Sequence, residues 1–90
     1  MMTYNVYQEI ILDIMRRERK EFWSYVGGKF THTMPTFRIR KCFNSESVIE
    51  MTGIEMRRVM LSLCRQGHVR KHPSSRVGQA CWQLVDEEAS

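Results

Sequence analysis

Ten lysine and arginine side chains crowd into residues 29–76, against only Glu46, Glu50 and Glu55. Arg57, Arg58 and Arg65 fall in one run, TGIEMRRVMLSLCRQGHV, and Arg70, Lys71 and Arg76 in the next, HVRKHPSSRVG. Residues 1–28, by contrast, balance Arg16, Arg17, Arg19 and Lys20 with Glu9, Asp13, Glu18 and Glu21, and the tail carries Asp86, Glu87 and Glu88. The formal charge of +4 is therefore concentrated in the middle of the chain. Such concentration is the electrostatic footprint of a polyanion binder, with a merely solvated basic surface as the alternative.

Other chemistries find less support. His68 and His72 have the H-x3-H spacing of half a zinc finger, but no Cys-x-x-Cys supplies the other half. Cys42, Cys64 and Cys81 are odd in number and far apart, so they read as reduced thiols packed in or near a core. No metal or cofactor is expected. Gly-x-Ser-x-Gly, a phosphate loop and His-Glu-x-x-His are all missing, and the histidines have no neighbouring carboxylate, so the chain does not read as an enzyme. The aromatic ribonucleoprotein motif and Gly-x-x-Gly loop of RNA binders are missing too. Ninety residues, 42% apolar and 10% aromatic, suit one small globular domain. With no membrane span or signal peptide legible, a soluble cytoplasmic protein without membrane contact is expected.

These side chains need elements to position them. Tyr7, Ile10, Ile11 and Ile14 form the i, i+3, i+4, i+7 stripe of a helix, with Asn5 as its expected N-cap. The following stretch, EFWSYVGGKFTHTMPTF, either continues that helix to Val26 with Gly27 as cap or turns as a hairpin at Gly27-Gly28. Phe22, Trp23, Tyr25 and Phe30 make it satellite core or a self-association surface. Pro35 closes the region.

TFRIRKCF alternates, which predicts a short strand with Arg38 and Arg40 on its basic edge. NSESVIEMTG predicts a short helix capped by Asn44 or Ser45, or by Ser47 in a competing register with Glu50. Val48, Ile49 and Met51 would be its apolar contacts. Thr52-x-x-Glu55 fits a capping box opening a further helix. Met56, Val59, Met60 and Leu63 are that helix's buried face and Gly67 its end. A turn at Thr52-Gly53 would join the two. Beyond Gly67, two extended runs flank Pro73-Ser74-Ser75, and Gly78, Ala80, Trp82 and Leu84 share one face of the second, predicting a hairpin with a basic tip.

Residues 43–84 resemble a winged helix–turn–helix domain. The likeness rests on a short helix ending in Thr-Gly-Ile, on Leu63-Cys64-Arg65-Gln66-Gly67-His68-Val69, and on the closing strand Trp82-Gln83-Leu84. It is similar to small bacterial fimbrial-operon regulators and prophage regulators. The resemblance implies a mostly helical α+β fold: three helices, a short strand before the second, and a C-terminal hairpin wing. It also implies sequence-specific binding of double-stranded DNA by a transcriptional regulator, acting as a homodimer because one module makes few base contacts. Arg57, Arg58, Ser62 and Arg65 become helix contacts in the major groove. Arg70, Lys71, Ser74, Ser75 and Arg76 become wing contacts. Ser47 and Thr52 would offer hydroxyls and amides to phosphate at helix N-termini. Arg58 has a second reading as a partner of Glu55, and Arg65 as a phosphate contact. Residues 21–36 are longer and more aromatic than the usual link. This points to an added protein contact through Phe22, Trp23, Tyr25 and Phe30, and so to an alternative in which the fold serves as a protein interaction module. The acidic residues 86–90 would form a tail.

Overall fold

The first helix outruns its apolar stripe at both ends. In the computed structural model, which describes residues 2–28, 30–73, 75 and 79–85, with side chains from Val6 onward, α1 spans Met2–Val26. Ile11, Ile14 and Met15 are fully buried, with Tyr7 and Ile10 packed at the margin of the core. Asn5 lies inside the helix and not at its cap. Of the two readings of residues 21–36, the helical extension is the one adopted. Gly27 takes φ +80°, open to glycine without a Cβ clash, and its N–H donates to the Trp23 carbonyl at 3.0 Å.

The alternating run TFRIRKCF is not a strand. It opens α2 (Thr36–Glu46), with Pro35 at the N-cap. Proline suits that place because its fixed φ and missing N–H cost nothing before the first helical turn. Ile39 and Phe43, one turn apart, are fully buried, whereas Lys41, which alternation placed beside Ile39, is exposed. The short strand lies just before, as β1 (Met34–Pro35).

Nor does NSESVIEMTG form a helix. α2 ends at Glu46, Ser47 turns extended (φ −113°, ψ 150°), and its N–H donates to the Phe43 carbonyl at 2.9 Å. Asn44 caps nothing. Its Oδ1 accepts from Met51 N–H at 2.8 Å and its Nδ2 donates to the Met51 carbonyl at 3.1 Å, pinning residues 47–51 against α2. Of the three expected apolar contacts only Met51 is buried; Val48 and Ile49 face solvent. The helices on either side of the turn are therefore joined by residues 47–52, not by a tight Thr52-Gly53 reversal.

The next helix, α3 (Gly53–Arg65), forms as its sequence indicates. Thr52 and Glu55 close the reciprocal capping box, and Met56, Val59, Met60 and Leu63 are buried. Gly67, at φ +88°, ends it with the paired bonds Gly67 N–H to Cys64 O (3.1 Å) and His68 N–H to Leu63 O (3.0 Å). The chain then forms β2 (Val69–Lys71) and β3 (Cys81–Leu84), antiparallel with Val69 opposite Leu84 and Lys71 opposite Trp82. β1 pairs on the other side of β3, giving the order β1-β3-β2. Ser74, Arg76, Gly78 and the acidic residues 86–90 lie outside the described residues.

The result is a small, mostly helical α+β domain of three helices and a three-stranded antiparallel sheet among the described residues. Trp82 is the largest fully buried side chain. Its indole N–H donates to the Thr36 hydroxyl at 2.8 Å, and that hydroxyl donates on to the Ala80 carbonyl at 3.2 Å. The first residue of α2 is thus bolted to the sheet.

Candidate nucleic-acid interface

The first turns of α2 and α3 open into one groove of about 460 Å³. Thr36, Phe37 and Arg40 line it from α2; Thr52, Gly53, Ile54 and Arg57 from α3; Gln79 from the chain returning to β3. Helix N-termini carry partial positive charge on N–H groups that lack intrahelical acceptors. At α3 the capping box uses two of these, Thr52 N–H to Glu55 Oε1 (2.9 Å) and Glu55 N–H to Thr52 Oγ1 (3.2 Å), leaving those of Gly53 and Ile54. At α2 no side chain caps the end, and only Thr36 N–H is taken, by Ala80 O at 3.0 Å. Two electropositive helix ends and two guanidinium groups therefore converge on one groove.

The outward face of α3 continues from it. Opposite the buried stripe lie Ile54, Arg57, Arg58, Leu61 and Arg65, all exposed. The single acid of α3, Glu55, is turned to its capping box. Arg57 and Arg65 form no ion pair among the described residues, while Arg58 lies beside Glu55 in a shallow hollow with Tyr7 and Met51. On the hairpin, Lys71 is exposed, and Arg70 is exposed but donates from Nε to Gln83 Oε1 at 2.9 Å.

Three expected contacts point elsewhere. Ser62 is half-buried and accepts from Gln8 Nε2 at 3.2 Å, so it serves the α1–α3 seam. Ser47 stands at the C-terminal end of α2, where the helix dipole repels an anion, and its hydroxyl accepts from Ile49 N–H at 3.1 Å. Ser75 closes the hairpin loop, its hydroxyl accepting from Cys81 N–H at 2.9 Å and donating to Cys81 O at 3.3 Å. Arg38 pairs with Glu18 at 2.8 Å, and Arg17 with Glu46 at 2.6 Å and Asp13 at 3.4 Å, which ties those bases into the α1–α2 seam.

Sequence reasoning missed Thr36, Phe37, Ile54, Leu61 and Gln79, and gave Arg40 only a marginal place on the basic edge of a strand. Reading 36–43 as a strand hid the first two. Ile54 and Leu61 were legible, since a helical projection sets them opposite Met56, Val59, Met60 and Leu63.

At the far end of α1, Phe22 and Trp23 are half-buried, while Tyr25 and Phe30 are exposed. Arg19, itself buried, stacks 4.7 Å above Trp23, whose indole N–H donates to Phe30 O at 2.7 Å. Phe22 lies 5.2 Å from His32, and burial holds that imidazole below its ordinary pKa. Cys42, Cys64 and Cys81 are unbonded and half-buried, and burial pushes the Cys42 thiol up. Among the described residues no three His, Cys, Asp or Glu side chains gather as a metal site, and no helix is long and apolar enough to cross a membrane. Comparison with known proteins finds no family model that matches the chain, no similar curated protein and no similar solved structure.

Proposed function

We propose that the chain binds double-stranded DNA as a winged helix–turn–helix protein, with α3 in the major groove and the β2–β3 hairpin along the backbone. The observation that carries this reading is the groove where two helix N-termini meet Arg40 and Arg57, continuous with the acid-free outward face of α3. Backbone amides and arginines at a groove edge suit phosphate, and a helix of this diameter fits a major groove about 12 Å wide. The element order, with β1 before α2 and the hairpin after α3, agrees with the architecture the resemblance implies. The helix–turn–helix pair is α2 and α3. A regulator of transcription in a bacterial or phage setting, working as a homodimer in the cytoplasm, is the role such a module fills.

The test is binding to labelled duplexes across a salt series. Affinity should fall steeply with salt as counterions are released from the phosphates. Lack of binding to any duplex at low salt refutes the proposal.

A second reading, a protein contact at the end of α1, is favoured by Tyr25 and Phe30, which are 91% and 60% exposed. In its self-association form it expects Tyr25→Ser to leave the fold intact and weaken self-association in sedimentation; unchanged sedimentation removes that form.

A further inference from the structure

Ile54 and Leu61 are 68% and 42% exposed at the centre of the outward face of α3. Phe37, 60% exposed, lines the groove beside Ile54. Phosphate needs charge and hydrogen-bond donors, so hydrocarbon on this face has no part in backbone contact. The core makes little use of it either. What surrounds it is cationic, with Arg57, Arg58 and Arg65 on the same outward face and the helix's acid committed to its cap.

A cationic face with an apolar centre complements one surface in particular. The major groove has phosphates along its edges and, on its floor, thymine 5-methyl groups as the main apolar feature. We infer that α3 recognises thymine through its methyl groups, with Ile54 and Leu61 as the specificity-determining residues and Phe37 extending the contact. This inference rests on the DNA-binding reading above and names the bases that reading leaves open. The preferred site therefore carries A·T pairs beneath α3.

Selection of the full-length chain against random duplexes supplies the probe, and the enriched duplex is then made with deoxyuridine in place of thymine. Pairing and phosphates are kept while the methyl groups are removed. The wild type should bind the uracil duplex about fourfold more weakly for each thymine methyl group that α3 covers, the equivalent of one buried methylene. The double variant Ile54→Ala, Leu61→Ala should bind both duplexes equally, with its salt dependence unchanged. Equal binding of the two duplexes by the wild type overturns thymine recognition and leaves DNA binding standing. Failure to bind any duplex overturns the DNA reading itself. Because the decisive change is made in the DNA, the outcome does not depend on how a variant folds.

Discussion

Thr36→Val tests how the groove is held open. The substitution conserves volume but deletes the hydroxyl that accepts from Trp82 Nε1 at 2.8 Å and donates to Ala80 O at 3.2 Å. Ala80 O keeps a partner, because Thr36 N–H still donates to it at 3.0 Å. The Trp82 indole, on a side chain only 1% exposed, loses its acceptor. An unsatisfied buried donor costs about 1–3 kcal/mol, so the central expectation is about 2 kcal/mol. For a domain of this size that lowers Tm by roughly 8–16 °C. Urea and thermal unfolding followed by far-ultraviolet circular dichroism measure it without interference from the second tryptophan, Trp23. Thr36→Ser, which keeps the hydroxyl, should recover most of the loss. A valine variant within about 0.5 kcal/mol of wild type would refute the reasoning, since surface-like substitutions fall in that range.

Three further outcomes follow from the same geometry. Gly67→Ala forces a Cβ onto a residue at φ +88° and should cost about 1 kcal/mol or more, read as a lower urea midpoint with an unchanged m-value. His32, whose pKa burial holds down despite the opposing pull of Glu18, binds protons less readily folded than unfolded. Stability is thus fully present above its ordinary pKa of 6.5 and declines as pH falls through that value; His32→Phe should flatten this part of the profile in pH-dependent unfolding. Arg57→Ala should reduce the slope of log affinity against log salt by about one, whereas Arg38→Ala, removing a base committed to Glu18, should leave the slope alone. A slope equally altered by both would show that the groove is not where phosphate meets the protein.

Local signals sufficed where one element carried its own instructions. The stripe of α1, the capping box of Thr52 and Glu55, the buried face of α3 and the end at Gly67 are all encoded within a few turns of chain, because helix periodicity and cap hydrogen bonds are short-range. The buried face of Trp82 and Leu84 follows from alternation in the same way. The concentration of positive charge in residues 29–76 is also a property of the sequence alone.

Residues 36–52 were decided otherwise. A six-residue alternating run fits a strand as well as a helix whose contacts are Ile39 and Phe43. What chose the helix is long-range: the core that takes those two side chains, the Thr36 bonds to β3, and the carboxylate of Glu18 waiting on α1 for Arg38. Asn44, a good cap by type, was instead drawn to Met51, which ended α2 early and left Ser47 at the wrong end of a helix to meet an anion. The basic and polar residues legible as candidates were therefore sorted by tertiary structure. Arg57, Arg58, Arg65 and Lys71 were left facing outward, Ser62 and Ser75 were consumed internally, and of the marginal pair Arg38 and Arg40 only Arg40 was brought into the groove. Sequence determines which groups are charged and which helices form; only packing, by choosing the partner each polar group satisfies, decides which of them face a ligand.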